Sequence, residues 1–195
     1  MNIANKLTIS RIVLTFVFMF FLFSKGLTFK ILALASFVAA STTDFLDGWL
    51  AKRRNEVSDF GKLMDPIADK VLTLSAFLAF VEMKLIPAWI VVIIVFREFV
   101  VTGLRLIALA KGEVIEAEAA GKHKTVSQMV SIYVILFFII FKESSISVFG
   151  FWNESLEYLL RQIIFYMMVV TAMLTVISGI SCLAKNKRFF ISAPR

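Results

Sequence analysis

Six long apolar stretches, at residues 8–24, 29–50, 66–83, 86–109, 126–142 and 160–184, take up most of this chain. Most are about long enough to cross a hydrocarbon core of about 30 Å as a helix. Hydrophobic residues make up 59% of the 195 positions, 21 of them Phe, far more than a soluble domain carries. The sequence therefore predicts an all-α, polytopic membrane bundle of six transmembrane helices. The first stretch follows only Lys6, and no small-x-small cleavage pattern comes before Lys25, so we read it as a retained span rather than a signal peptide. No repeat, low-complexity tract or linker interrupts the pattern, which predicts one domain over residues 1–195.

Six crossings put both termini on one side. The formal net charge is +7, but the basic residues lie in short clusters between apolar runs. That arrangement marks topology and contact with anionic lipid, and does not call for nucleic acid. With the N-terminus inside, the outer segments hold only Lys25, Lys30, Lys84, Lys142 and Arg161; Arg97 lies within span four, and the other Lys and Arg residues fall on the inner side. The positive-inside rule then predicts cytoplasmic N- and C-termini. Residues from Glu143 to Arg161, with Phe149, Phe151 and Trp152, read as an outer loop carrying an interfacial aromatic belt. Cys182 is the one cysteine, which excludes a disulfide framework.

Between spans two and three, DFLDGWLAKRRNEVSDFGKLMDPIAD sets Asp44, Asp47, Asp65 and Asp69 at the borders of apolar segments, where a charge is costly. Residues three or four apart share one helical face, so each pair projects into one small volume. The short polar loop makes the two helices antiparallel neighbours. Carboxylates that close resist joint ionisation unless a cation compensates them. The nearby donors are all oxygens, which favours Mg²⁺, or Mn²⁺, over Zn²⁺. Four carboxylates suit two ions, a pair able to grip a diphosphate. Gly48 and Gly61 leave room for close approach of a nucleotide or a helix. Pro66 suits the first turn of a helix beginning near Met64 or Asp65.

These aspartates, with Gly48, Ala51 and Gly61, resemble the signature of the CDP-alcohol phosphatidyltransferase family, D-x2-D-G-x2-A-R-x8-G-x3-D-x3-D. Every spacing matches. Lys52 stands where the family usually has arginine, which keeps the charge and loses the bidentate fork. Asn5, Thr8 and Arg11, the segment REFVVTGLR from Arg97 to Arg105, and GKHKT from Gly121 to Thr125 are similar to the bacterial phosphatidylglycerophosphate synthases within that family.

The resemblance implies transfer of the phosphatidyl group from CDP-diacylglycerol to sn-glycerol 3-phosphate, releasing CMP. It implies Asp44, Asp47 and Asp65 as ligands of two Mg²⁺ ions, and Asp69 as both a metal contact and the general base. Thr8, Gly48, Ala51, Lys52 and Gly61 would meet the nucleotide and lipid donor. A homodimer in the cell membrane of a bacterium is the expected setting. Direct attack and a covalent aspartyl intermediate both stay open.

A phosphorylated acceptor needs cations other than the metals. Arg97 and Arg105, eight apart on one face of span four, and Lys122 and Lys124 at the start of span five are the candidates. An internal ion pair between Arg97 and Glu98 is the competing reading. His123 reads as an exposed loop residue. The rivals are another acceptor alcohol, of the cardiolipin, inositol-phosphate or serine type, or a divalent-cation transporter using intramembrane carboxylates.

Overall fold

The computed structural model describes the backbone of residues 3–54, 59–110, 119–146 and 152–186, and the side chains of 9–43, 70–108, 123–146 and 152–186. Every regular element among them is a helix: α1 (Ile3–Phe23), α2 (Leu27–Arg54), α3 (Asp59–Glu82), α4 (Ala88–Ala110), α5 (Ala119–Ser144) and α6 (Glu154–Lys185). Each expected span lies on one helix, and the helices overrun the apolar stretches at several ends.

Two boundaries differ from expectation. Helix α3 starts at Asp59, so Pro66 stands inside it rather than in its first turn. An acid at the first position is favoured by the helix dipole, and hydropathy alone does not register those polar turns. Helix α6 starts at Glu154, which shortens the outer loop. Asn153 caps it, its side chain accepting the Leu156 N–H at 2.7 Å, and Glu154 and Glu157 sit in the first turn.

Among the described residues, α1 packs against α2 and α3, α5 against α6, α2 and α3, and α4 against α6 and α3. The main core draws Phe18 and Leu22 from α1, Phe37 from α2 and Phe77 and Phe80 from α3. Ile90 and Ile94 of α4, Ile132 and Ile135 of α5 and Met168 of α6 complete it. Phe37 joins the layers, its ring 5.3 Å from Phe18 and 5.4 Å from Tyr133. A second, small cluster of Val101, Leu104, Ala108 and Cys182 ties α4 to α6 further along.

The outside is as apolar as the inside. Phe16 and Phe96 are each 69% exposed, and Phe20, Phe99, Phe137 and Ile177 also face outward. Patches of this kind are tolerated against hydrocarbon and not against water. Among the described residues, two helices, over His123–Ser144 and Glu154–Lys185, are long and apolar enough to cross a membrane, and shorter apolar helices cover Ile9–Phe23 and Leu27–Thr43. Arg97, Glu98 and Arg105 interrupt the otherwise apolar α4.

The end of the bundle away from the aspartates is tightly tied. Gly26, at φ 104°, turns the chain between α1 and α2 in a conformation that glycine adopts without strain. Lys30 donates to the carbonyls of Leu22 at 2.6 Å and Ser24 at 2.8 Å. Glu157 receives Lys142 at 2.6 Å, Trp152 Nε1 at 2.9 Å and Arg161 Nε at 2.9 Å. Arg161 also donates to the Lys84 carbonyl at 2.9 Å, linking α6 to the α3–α4 turn. Glu157 precedes the 160–184 span. Hydrogen bonds from Lys142 first, then Trp152, hold its carboxyl at about 2, below the usual carboxylate value of 4.5.

Candidate active site

Between the two apolar clusters lies a belt of buried polar side chains. On α4, Arg97 and Glu98 interrupt the apolar sequence between Ile94 and Val101; on α6, Thr171, Thr175 and Ser178 do so before Cys182. Ser127 and Ser131 of α5 both hydrogen-bond Thr171, at 2.7 and 2.9 Å, and Thr175 returns its hydroxyl to the Thr171 carbonyl at 2.7 Å. Buried polar groups persist only when partnered. The belt therefore fixes how α4, α5 and α6 face one another.

Its charged part is a chain of three. Lys124 of α5 pairs with Glu98, and Arg97 Nη1 lies 3.4 Å from the same carboxylate. All three side chains are largely shielded, Glu98 being 14% exposed and Lys124 10%. Arg97 then turns toward α6, donating from Nη2 to Ser178 at 2.8 Å. Its stem lies along Gly179, where a Cβ would come within 2.8 Å of the Arg97 Cγ. Gly179 is the close approach that lets the guanidinium pass.

A small cavity of about 50 Å³ opens beside this chain, between α3, α4 and α5. Lys70, Thr73, Glu98, Lys124, Thr125 and Gln128 supply its polar wall, and Phe77, Ile94 and Met129 are among its apolar residues. Lys70 hydrogen-bonds Thr102 of α4. Room for a few water-sized groups with both cations and a carboxylate on the wall suits a small anionic, hydroxylated ligand.

The sequence candidates are distributed as follows. The side chains of Asp44, Asp47, Asp65 and Asp69, with those of Thr8, Gly48, Ala51, Lys52, Gly61 and Lys122, lie outside the described residues. Their helices are described. Asp44 and Asp47 are on α2, Asp65 and Asp69 on α3, with Asp69 adjoining the cavity residue Lys70. Ser41, one turn before Asp44, hydrogen-bonds Tyr133 of α5 at 3.0 Å. That contact sets the register of α2 against the helix that carries Lys124 and Gln128.

Lys124 faces the cavity. Arg97 is directed to α6 instead, and Arg105 is exposed near the end of α4, so the eight-residue spacing does not bring both to one pocket. His123 is exposed. No cluster of metal-ligating side chains occurs among the described residues.

Lys70, Glu98 and Gln128 are cavity residues that the sequence reading did not assign. Lys70 could have been found as the neighbour of Asp69, and Gln128 as the residue one turn beyond Lys124. Arg11 is a further buried cation, 1% exposed on α1, which the sequence marks only as part of the Asn5, Thr8 and Arg11 pattern.

The family model for CDP-alcohol phosphatidyltransferase matches residues 1–177. The CDP-diacylglycerol--glycerol-3-phosphate 3-phosphatidyltransferase of Bacillus subtilis is 40% identical over 147 residues, covering 69% of this chain and 76% of the relative. Proteins of the same name in Rickettsia bellii and Rickettsia felis are 34% and 35% identical over 192 and 193 residues, each alignment covering 97% of both chains. Likeness from end to end removes the transporter reading. The chain belongs to the CDP-alcohol phosphatidyltransferases, a family of membrane enzymes that in general depend on a divalent metal.

Proposed function

We propose that the chain transfers the phosphatidyl group of CDP-diacylglycerol to sn-glycerol 3-phosphate, giving phosphatidylglycerophosphate and CMP. What supports this is that α3, the helix of Asp65 and Asp69, also carries Lys70, which lines a small cavity together with Lys124 of α5. The relatives whose alignments run the full length carry the name of that reaction.

An oxygen-only donor set in two pairs, at three- and four-residue helical spacing, fits Mg²⁺ or Mn²⁺. Asp44, Asp47, Asp65 and Asp69 would hold the metal, two ions in our reading. When bound, it neutralises the diphosphate and the departing phosphate. Asp69 takes the proton from the acceptor hydroxyl. The hydroxyl oxygen forms a bond to the β-phosphorus while the bond from that phosphorus to the bridging oxygen breaks, and CMP leaves with the electron pair. Thr8, Gly48, Ala51, Lys52 and Gly61 remain the proposed contacts of the nucleotide and lipid donor.

For the acceptor phosphate we favour Lys124 and Lys70 over the sequence candidates Arg97 and Arg105. Lys124 and Lys70 share the cavity wall, and an ammonium offers three donors to an anion beside it. Lys122 stays a candidate for steering the anion. The basic residues near the aspartates favour a cytoplasmic site in the cell membrane. Homodimer formation and contact with anionic lipid rest on resemblance and charge alone.

Purified protein in detergent, given CDP-diacylglycerol and a panel of alcohols, tests the proposal. Glycerol 3-phosphate should yield one CMP per phosphatidylglycerophosphate, with activity lost on chelation and restored by Mg²⁺. CMP release only with serine, inositol phosphate or phosphatidylglycerol would overturn the acceptor, and no release with any alcohol would overturn the reaction.

A further inference from the structure

Gln128 is the one cavity residue whose polar chemistry the belt leaves unfinished. It sits on α5 one turn beyond Lys124, is only 6% exposed, and lines the cavity together with Glu98, Lys70 and Thr73. Its Nε2 has no hydrogen-bond partner. Burying an unpaired amide donor costs about as much as a lost hydrogen bond, so such groups are kept where a ligand completes them. The same lining supplies the complementary group. Glu98 is an acceptor-only carboxylate, neutralised by Lys124 and Arg97, on α4. A donor and an acceptor on the lining of one small space that also carries two lysines match a group that both accepts and donates, beside an anion. A hydroxyl is that group.

We propose that Gln128 is a specificity-determining residue of the acceptor site: its Nε2 donates to the hydroxyl of the acceptor that does not react, and Glu98 accepts the proton of that same hydroxyl. The phosphate of the acceptor then lies toward Lys124 and Lys70. This rests on the reading of glycerol 3-phosphate as acceptor and goes further by assigning how its middle hydroxyl is read. A site built to bond a hydroxyl rejects the analogue lacking it, because its own polar groups are then left unpaired.

The experiment compares glycerol 3-phosphate with 3-hydroxypropyl phosphate, which lacks the middle hydroxyl, in wild type, Gln128→Leu and Gln128→Met. Wild type should favour glycerol 3-phosphate by roughly tenfold or more in kcat/KM. Both variants should bring that ratio close to one, by raising KM for glycerol 3-phosphate while leaving the analogue and the KM for CDP-diacylglycerol unchanged. Gln128→Met keeps length and flexibility, and serves if the branched leucine prevents folding. A ratio that survives in the variants, or an equal loss with both acceptors, overturns the assignment. A wild-type enzyme that makes no product from glycerol 3-phosphate would instead overturn the proposed reaction, so the two failures are told apart by the wild-type control.

Discussion

The two ends of the bundle use charge for opposite purposes. At the far end, Lys30 closes the α1–α2 turn, and Glu157 gathers Lys142, Trp152 and Arg161 while Arg161 reaches Lys84. Those groups bind backbone carbonyls or one another, and they leave a tied rim. At the aspartate end, charge is carried inward along Lys124, Glu98 and Arg97, and a cavity with an unsatisfied amide stays open beside it. Buried ion pairs are poor sources of stability, because desolvation offsets their attraction. An ion-pair chain at this end and a conventional rim at the other therefore contribute to the fold in different ways, and the proposed acceptor site lies beside the first.

The comparison breaks first at Asp69. Asp69→Asn should lower turnover by about a thousandfold or more, with CDP-diacylglycerol binding retained in a direct binding assay; surviving turnover would remove Asp69 as the base. Next comes Lys124→Met, which should raise KM for glycerol 3-phosphate by tenfold or more through loss of a charged contact, and raise it far less for the lipid donor. Arg105→Ala, at an exposed position, should change either KM by less than about threefold. Equal effects of Lys124→Met on both substrates would count against a cavity dedicated to the acceptor.

The belt can be probed by packing alone. Gly179→Ala drives a methyl into the stem of Arg97 and should cost about 1–3 kcal/mol, seen as a fall of several degrees in Tm in detergent. Gly103→Ala is the control: nothing lies within 4 Å of its added carbon, so helix propensity should leave it neutral or stabilising by up to about 1 kcal/mol.

The smallest effect belongs to the rim. Glu157→Gln should lower stability by no more than about 1 kcal/mol and leave turnover unchanged. The sign with pH follows from a folded pKa of about 2 against 4.5. The contribution of Glu157 is present above about 4.5 and fades as pH falls toward 2, so Tm curves of wild type and variant should converge on acidification. A difference between the curves that stays constant on acidification would mean that the rim is held by packing of Trp152 on Phe138 and Phe141, at 6.1 and 5.9 Å, rather than by charge.

Hydropathy located all six helices, because apolar length in lipid leaves the chain little else to become. It lost the polar ends: α3 reaches back to Asp59 and α6 begins at Glu154, where helix-forming tendency and capping, not hydrophobicity, set the boundary. Spacing and resemblance single out Asp44, Asp47, Asp65 and Asp69, and the helices that carry them, α2 and α3, are those expected. Arg97 could be recognised as out of place, but which neighbour it meets depends on the helix packed against α4, and Gly179 on α6 decides that at long range. Gln128 carries no signal in isolation. Its meaning comes from having Glu98 and Lys70 across a gap that only three assembled helices create.

The Gly26 turn has a consequence for biogenesis. With Lys30 already holding the carbonyls of Leu22 and Ser24, the tip of the first helical hairpin carries few unmet backbone groups. Antiparallel α1 and α2 are then expected to enter the bilayer together, as one preassembled wedge. Replacing Lys30 by alanine should favour chains caught with only the first segment inserted.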